Sequence, residues 1–346
     1  MKEFKDEDII MQVKNLQTYF KTDAGILKAV DGVTFDVHKG ETVGLVGESG
    51  CGKSVTNLSI MRLVPSPPGK IVGGEVLYEG EDILKMSEKD LRNIRGNKIS
   101  MIFQDPMTSL NPFLKISTQM IETIMLHQKV SKKEAREKAI KMLGEVGIPH
   151  PEKRIDSYPH QFSGGMRQRV MIAMALSCNA DVLIADEPTT ALDVTIQAQI
   201  LELIQKMNEK FNTAVILITH DLGVVAGMCD NVCVMYAGRI VEKATTDELF
   251  KNPKHPYTEG LIASVPKLDA NGKKEKLFSI EGQPPNVIDL PPCCPFHPRC
   301  NKDMKICHMA YPPTKEIDKN HSVACWLHAS EEEIANALKE AASNDK

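Results

Sequence analysis

The chain has 346 residues, 42% of them hydrophobic and 25% charged. These are ordinary globular values, and they exclude a disordered, collagen-like or coiled-coil protein. The length exceeds an average domain of about 100–200 residues, so two or three packed units are expected. A net charge of −4, from 42 basic and 46 acidic residues, gives no general attraction to nucleic acid.

Nothing in the sequence predicts a membrane span or a secretory signal. No apolar run approaches the roughly 18–20 residues that cross a bilayer, and the N-terminus MKEFKDEDII is highly charged. We therefore expect a cytosolic chain, or one that attaches to a membrane through a partner. In such a reducing compartment, clustered cysteines are more often metal ligands or catalytic groups than disulfides.

The N-terminal part alternates short strand-like runs with glycine turns. Residues 42–46 form an apolar strand candidate, followed by a glycine-rich turn and a helix-compatible stretch over 53–63. Strand candidates that each precede a polar residue follow at 98–103, 181–185 and 214–219. Strands that alternate with helical patterns predict a parallel sheet covered by helices.

Two further segments depart from this pattern. Residues 117–177 read as helical, and the run 131–146 begins with a capping serine and places its apolar residues on one face. This predicts a helical insert in the α/β core. After Phe250 prolines become frequent, which predicts a third, irregular module too poor in apolar periodicity to fold on a core of its own.

A phosphate-binding motif follows the first apolar strand. The segment GESGCGKS fits G-x-x-x-x-G-K-[ST] between a strand and a helix, where backbone N–H groups curl around phosphate oxygens. Lys53 would reach the β- and γ-phosphates, and the Ser54 hydroxyl would bind Mg²⁺. The predicted phosphate loop consists of Gly47, Glu48, Ser49, Gly50, Cys51, Gly52, Lys53 and Ser54.

Two carboxylates directly follow the strand candidate at 181–185. Asp186 is placed to hold Mg²⁺, directly or through water, and Glu187 to polarise the attacking water as a general base. Alone, an Asp-Glu pair is usually a solvated strand end. Beside a phosphate loop, the functional interpretation is favoured.

The intervening sequence resembles a family. Ser163, Gly164 and Gly165 open a helix predicted over 166–177 and form a second anion cradle. With the two preceding motifs, this run resembles the ATP-binding cassette (ABC) ATPases, whose signature motif contacts the γ-phosphate of ATP held by the opposite subunit. Further motifs follow in the family's order: Phe20, or Tyr19, as the adenine-stacking aromatic; Gln104 as the Q-loop glutamine and a Mg²⁺ contact; residues 190–193, with Asp193, as the D-loop; and His220 as the switch histidine.

Longer segments are similar to one branch of that family. FSGGMRQRVMIAMAL, with Met166 where most members carry glutamine, and ADEPTTALDVTIQAQIL resemble the ATPases of oligopeptide and dipeptide importers. The C-terminal segments 252–258 and 296–300 resemble that branch's extension, so the similarity runs from about residue 13 to 327.

The resemblance implies a RecA-like α/β fold with an antiparallel β subdomain over residues 1–104 and 179–250. A helical subdomain over 105–178 and a C-terminal extension over 251–346 would complete it. It also implies ATP hydrolysis in a head-to-tail ATPase dimer, either of this chain or with a paralogous subunit, at the cytoplasmic face of a membrane. The expected partners are two membrane-spanning permease subunits and, indirectly, an extracellular peptide-binding protein. The transported solute would be a di- or oligopeptide, with nickel or another small solute as the alternative.

Two other classes compete with this interpretation. A soluble ABC ATPase that acts on DNA or ribosomes would carry a long heptad insertion or a second cassette, and the sequence shows neither. A catalytically silent metal-binding subunit is disfavoured because Lys53, Asp186, Glu187 and His220 are all intact.

The C-terminal cysteines predict a metal site. Cys294, Cys300, Cys307 and Cys325 have the spacing C-x5-C-x6-C-x17-C, and a metal clip would stabilise a segment without its own core. Four cysteines suit tetrahedral Zn²⁺ or a [4Fe–4S] cluster. Zinc folds usually show a tight C-x2-4-C pair, and some dipeptide-importer ATPases carry a [4Fe–4S] cluster here, so the resemblance favours the cluster, with Zn²⁺ or reduced thiols as alternatives. Cys293 is expected to be a neighbour of the ligands.

Overall fold

The computed structural model describes residues 4–104, 109–190, 192–265, 279–288 and 290–344. Within these ranges the strands form two sheets, one of eight strands and one of four. No helix among the described residues combines the length and the apolar character that crossing a bilayer requires.

The larger sheet has a parallel centre. β3 (Thr42–Val46) pairs in parallel with β8 (Ala214–Ile218) and β9 (Asn231–Tyr236), and β7 (Val182–Asp186) pairs in parallel with β6 (Ile99–Ile102) and β8. Every residue of β3, β7 and β8 is buried. Such continuous apolar strands are typical of a sheet covered on both faces. The strands predicted near 98–103, 181–185 and 214–219 are confirmed within one or two residues.

The smaller sheet is antiparallel and lies over the helix that follows β3. It contains β1 (Ile9–Thr22), β2 (Gly25–His38), β4 (Gly69–Tyr78) and β5 (Glu81–Asp82) in the order β2-β1-β4-β5. Its inner face and one face of the larger sheet share a hydrophobic core. A buried hydrogen bond of 2.7 Å between the hydroxyls of Thr18 and Ser59 links the two layers.

The described residues contain eleven α-helices. In chain order they are α1 (Lys53–Ile60), α2 (Glu88–Ile94), α3 (Ile116–Gln128), α4 (Lys132–Glu145), α5 (Pro151–Arg154), α6 (Gly164–Leu176), α7 (Val194–Phe211), α8 (Leu222–Met228), α9 (Thr246–Lys251), α10 (Pro256–Ala263) and α11 (Glu331–Asn344).

The helix predicted over 131–146 is confirmed as α4. The Ser131 hydroxyl accepts a hydrogen bond from the Glu134 N–H, and the apolar face predicted from its spacing is buried. The helix predicted over 53–63 ends earlier, at Ile60. Arg62 takes a left-handed backbone with φ of 50°, and the Leu63 N–H donates to the Leu58 carbonyl, a pattern that closes a helix.

The expectation of an irregular C-terminal module is wrong in part. β12 (His321–Ala324) pairs with β10 (Arg239–Thr245), and β11 (Thr314–Asp318) pairs with β12, so the extension lengthens the main sheet. Phe296, Ile306 and Trp326 join the main core. The extension therefore needs no core of its own, because an edge strand and a shared core stabilise it.

A buried carboxylate fastens this added hairpin. The Glu242 side chain on β10 accepts hydrogen bonds from the backbone N–H groups of Lys254 and His255, and it lies 2.7 Å from Nε2 of His321 on β12. Glu242 and His321 are both fully buried. One side chain thus connects the core strand, the start of α10 and the added hairpin.

Candidate functional site

The phosphate loop connects β3 to α1, and its glycines are required by close backbone approaches. Gly47 and Gly52 have φ of 150° and 109°. A Cβ on Gly47 would lie 2.3 Å from the Met235 carbonyl oxygen, and one on Gly52 would lie 2.2 Å from the Ala29 carbonyl oxygen. Any side chain at these positions would force the loop open.

Lys53 lies inside the curve of this loop. Its buried ammonium donates to the carbonyl oxygens of Gly47, at 2.7 Å, and Glu48, at 2.9 Å. The Cys51 sulfur is 3.7 Å from the same nitrogen, but burial raises the pKa of that thiol. Cys51 is therefore a small packed residue of the loop and not a reactive thiolate.

Ser54 and Asp186 bring two oxygen ligands together. The Ser54 hydroxyl donates to Oδ1 of Asp186 at 3.1 Å, which joins the start of α1 to the end of β7. The pKa of Asp186 is raised, mainly because its carboxyl is buried and to a lesser extent because Glu187 carries a negative charge beside it. A hydroxyl and a buried carboxylate side by side suit a hard cation such as Mg²⁺, whose charge would favour the ionised form of Asp186.

Three predicted residues converge on the carboxylate of Glu187. Gln104 donates to Oε2 at 2.9 Å, and Nδ1 of His220 lies 3.4 Å from Oε1. Thr190, which the sequence predicts only as part of the D-loop, donates its hydroxyl to Oε2 at 2.9 Å. Glu187 itself has a φ of 46°, so its backbone is held in an uncommon conformation. Its hydrogen-bond partners come from three separate segments, which fixes the direction of the carboxylate.

The predicted signature serine caps a helix. α6 begins at Gly164 rather than at residue 166, because the Ser163 hydroxyl accepts the N–H of Met166. A Cβ on Gly165 would lie 2.6 Å from Cγ2 of Ile196 in the first turn of α7. Asp193 caps α7 through the N–H of Ile196, whereas Ala191 lies outside the described residues. The signature and D-loop segments are therefore packed together.

Tyr19 and Phe20 occupy different surroundings on β1. The Tyr19 hydroxyl donates to Asp31 at 2.6 Å, and Asp31 pairs with Arg239, also at 2.6 Å. The pKa of Tyr19 is raised to about 12, mainly because its hydroxyl is buried and secondly because it donates a hydrogen bond to Asp31. Phe20 is half-buried and has no polar group to satisfy. This leaves Phe20 as the freer aromatic for stacking on adenine, which stays a prediction.

The predicted cysteine ligands line one small cavity. Cys294, Cys300, Cys307 and Cys325 surround it together with other residues of the extension, whereas Cys293 faces a different surface. Among these described cysteines, no three sulfur atoms lie within 4.8 Å of one another. Sulfurs bound to a single tetrahedral Zn²⁺ at about 2.3 Å would be closer than that. In the described residues the four sulfurs are therefore not arranged as ligands of a single tetrahedral ion.

A second group of potential ligands lies in the same region. His297, Asp303 and His308 place one ligand atom each within 4.8 Å of the others, and Nε2 of His308 is 2.6 Å from Oδ2 of Asp303. The sequence spacing did not indicate it.

Sequence reasoning also missed two residues that contact the phosphate loop. Both oxygens of Glu48 receive hydrogen bonds from Arg299, at 2.6 and 2.9 Å, and the Glu48 N–H donates to the Tyr257 hydroxyl at 2.8 Å. Arg299 and Glu48 are 251 positions apart. No local pattern joins residues at that separation.

Comparison with known proteins bears on this arrangement. Residues 30–190 match the model of the ABC transporter family, and residues 241–307 match that of the oligopeptide/dipeptide transporter C-terminal region. The chain is 53% identical to the dipeptide transport ATP-binding protein DppD of Bacillus subtilis, over 94% of this chain and 97% of the relative. It is 50% identical to the oligopeptide transport ATP-binding protein OppD of Escherichia coli, over 94% and 95%.

Solved structures agree on the fold. A dimeric post-hydrolysis state of the ATP-binding cassette MJ0796 bound to ADP and Pi superposes with a TM-score of 0.61 at 28% identity, over 68% of this chain and 98% of that chain. CbiO1 of Clostridium perfringens, part of an ABC transporter complex, gives 0.59 at 29% identity, over 71% and 92%. The chain therefore belongs to the ABC transporter ATPases, in the branch that carries the oligopeptide/dipeptide transporter C-terminal region.

Proposed function

We propose that this chain is the ATP-hydrolysing subunit of an importer of dipeptides or oligopeptides. The observation that carries the proposal is the joint presence of the Ser54–Asp186 pair and the Glu187 cluster in a chain that also matches the peptide-transporter C-terminal region. The relatives are named as dipeptide or oligopeptide transport ATP-binding proteins. Each aligns with more than nine-tenths of the length of this chain.

The geometry supports a separate role for each group of site residues. Lys53 and the loop N–H groups would bind the phosphates of ATP, and Phe20 would stack on its base. Ser54 and Asp186 would hold Mg²⁺, with Gln104 approaching it, and this ion would neutralise charge that develops on the phosphates. Glu187 would take the proton of the attacking water, since its carboxylate is aimed by Gln104, Thr190 and His220.

The signature residues would complete the site of a second ATPase subunit. Ser163 and Gly164 are exposed at the start of α6, and Gly165 lies against Ile196 in the helix that Asp193 caps. The likeness to a dimeric cassette supports a pair, formed with another copy or a paralogous chain, and we propose that this pair is head-to-tail. ATP would close this pair and hydrolysis reopen it. The motion would pass through Gln104 and the helical region, residues 105–178, to two permease subunits at the cytoplasmic face of the membrane. An extracellular binding protein would deliver the peptide.

We further propose that Cys294, Cys300, Cys307 and Cys325 hold a [4Fe–4S] cluster that stabilises the extension. The cavity that these four cysteines share supports a common bound group, and their sulfurs are not grouped as closely as a single tetrahedral Zn²⁺ requires. Burial raises the pKa of Cys294 to about 12 and that of Cys325 to about 11, so these thiols stay protonated unless a cationic group binds them.

The transported solute can be tested in cells. We expect that cells lacking this chain lose uptake of labelled dipeptides and oligopeptides, whereas uptake of free amino acids and of radioactive Ni²⁺ is unchanged. The wild-type chain should restore peptide uptake, and so should Lys132→Ala, a change at an exposed residue of α4. Loss of nickel uptake with normal peptide uptake would overturn the peptide assignment and favour a metal importer.

A further inference from the structure

The residue Glu48 of the phosphate loop is held from the C-terminal extension by a buried arginine. Arg299 donates from Nη1 to Oε2 of Glu48 at 2.6 Å and from Nη2 to Oε1 at 2.9 Å. The arginine side chain is only 4% exposed, and its Nε donates to the Glu281 carbonyl at 3.0 Å. A planar guanidinium bound to a carboxylate through two parallel bonds fixes both its distance and its orientation.

The backbone of Glu48 is fixed as well. Its N–H donates to the hydroxyl of Tyr257, which is fully buried on α10, and its carbonyl accepts the hydrogen bond from Lys53. Thus the side chain and N–H of Glu48 bind groups from the C-terminal extension, while its carbonyl binds the lysine of the phosphate site. A displacement of Glu48 would therefore also move the Lys53 ammonium, which is hydrogen-bonded to this carbonyl.

Arg299 sits inside the cysteine-lined turn. The turn runs from Cys294 to Cys300 and is closed by hydrogen bonds from the N–H of Cys294 to the Cys307 carbonyl and from the N–H of Cys300 to the His297 carbonyl. The position of the guanidinium therefore depends on the fold of this turn. The aromatic rings of Tyr236, Tyr257 and Phe296 pack between the turn and the loop, with centroids 4.7–5.4 Å apart.

We propose that Arg299 is a positioning residue of the ATP site. By holding Glu48, it keeps the phosphate loop and the Lys53 ammonium in the shape that receives the triphosphate, so that ATP affinity depends on the cysteine-lined turn. The inference rests on the proposed role of the loop in ATP binding.

Arg299→Gln tests the proposal, with ATP affinity, kcat and KM as readouts. We expect the Kd and KM for ATP to rise about tenfold, the loss of roughly one charge-assisted interaction, while kcat at saturating ATP stays within about twofold. Arg299→Lys should recover part of the affinity. Arg92→Gln, an exposed arginine on α2, is the matched control and should change neither value.

A double variant separates positioning from simple charge. Arg299→Gln leaves the Glu48 carboxylate unpaired near the phosphates, and that charge alone would repel ATP. Combining Glu48→Gln with Arg299→Gln removes the charge but does not restore the contact that holds residue 48. If Arg299 acts by positioning, the ATP affinity of the double variant stays low. Wild-type affinity in the double variant would overturn positioning in favour of electrostatic repulsion.

Tyr257→Phe keeps the charge balance and removes only the acceptor for the Glu48 N–H. We expect a weaker loss of ATP affinity, of about threefold, and an unfolding transition slightly below that of the wild type. Wild-type affinity in both Tyr257→Phe and Arg299→Gln would also contradict the inference. If the wild-type chain itself failed to bind ATP, the proposed function would fail instead.

Discussion

Glu187→Gln is expected to lower steady-state ATP hydrolysis by at least about 100-fold while ATP binding is retained. Glutamine has nearly the same shape and can keep the contacts with Thr190 and Gln104, but it cannot accept a proton from water. ATP affinity should change little, because Lys53, Ser54 and the loop N–H groups are untouched. The measurements are phosphate release at saturating ATP and equilibrium binding of labelled ATP.

Glu202→Gln is the matched control, since this exposed glutamate of α7 pairs with Lys206 on the same helix. It should hydrolyse ATP at the wild-type rate. Hydrolysis close to wild type in Glu187→Gln would eliminate Glu187 as the general base. Loss of both binding and hydrolysis would indicate instead that the carboxylate holds the loop in place.

The second large effect concerns the metal content of the extension. Anaerobically purified protein is expected to contain iron and acid-labile sulfide in nearly stoichiometric amounts for one [4Fe–4S] cluster. Cys300→Ser should lose both, because serine does not replace a thiolate that the cluster requires. Cys293→Ser should keep both, since Cys293 does not line the cavity of the other four cysteines. Iron, sulfide and zinc are measured on the same samples.

The nearby His297, Asp303 and His308 group requires its own control. Zinc that is lost in His308→Ala but kept in Cys300→Ser would belong to that group. Zinc that is lost in Cys300→Ser, or protein with neither metal nor sulfide, would contradict the cluster. Either result would leave the assignment of the ATP site unaffected.

Much of the core was predictable because its determinants are local. The strand preceding the phosphate loop, the cap of α4 by Ser131 and the apolar strand ending at Asp186 all follow from neighbouring residues. The spacing of the motifs placed Gln104, Glu187 and His220 in one site, and the structure brings these side chains together. Their roles, and the division into the core, helical and extension units, stay predictions.

The features that sequence reasoning missed depend on contacts between distant residues. β12 pairs with β10, and His321 is buried against Glu242 at this pairing. The neighbouring prolines make these short strands hard to predict from the sequence. The Arg299–Glu48 pair similarly needs the extension to fold against the loop before its residues meet. The weak apolar periodicity of the extension predicts that it does not fold on a core of its own, but this pattern could not indicate which surface would complete it.

The claim that ATP hydrolysis by this chain drives peptide import is tested most directly with the purified transport assembly in proteoliposomes. ATP is enclosed in the lumen, and labelled peptide with its binding protein is added outside. The wild-type assembly should accumulate peptide as ATP is hydrolysed, and the assembly with Glu187→Gln should accumulate none. Peptide accumulation at the wild-type rate with Glu187→Gln, or ATP hydrolysis without any peptide entry, would contradict the account.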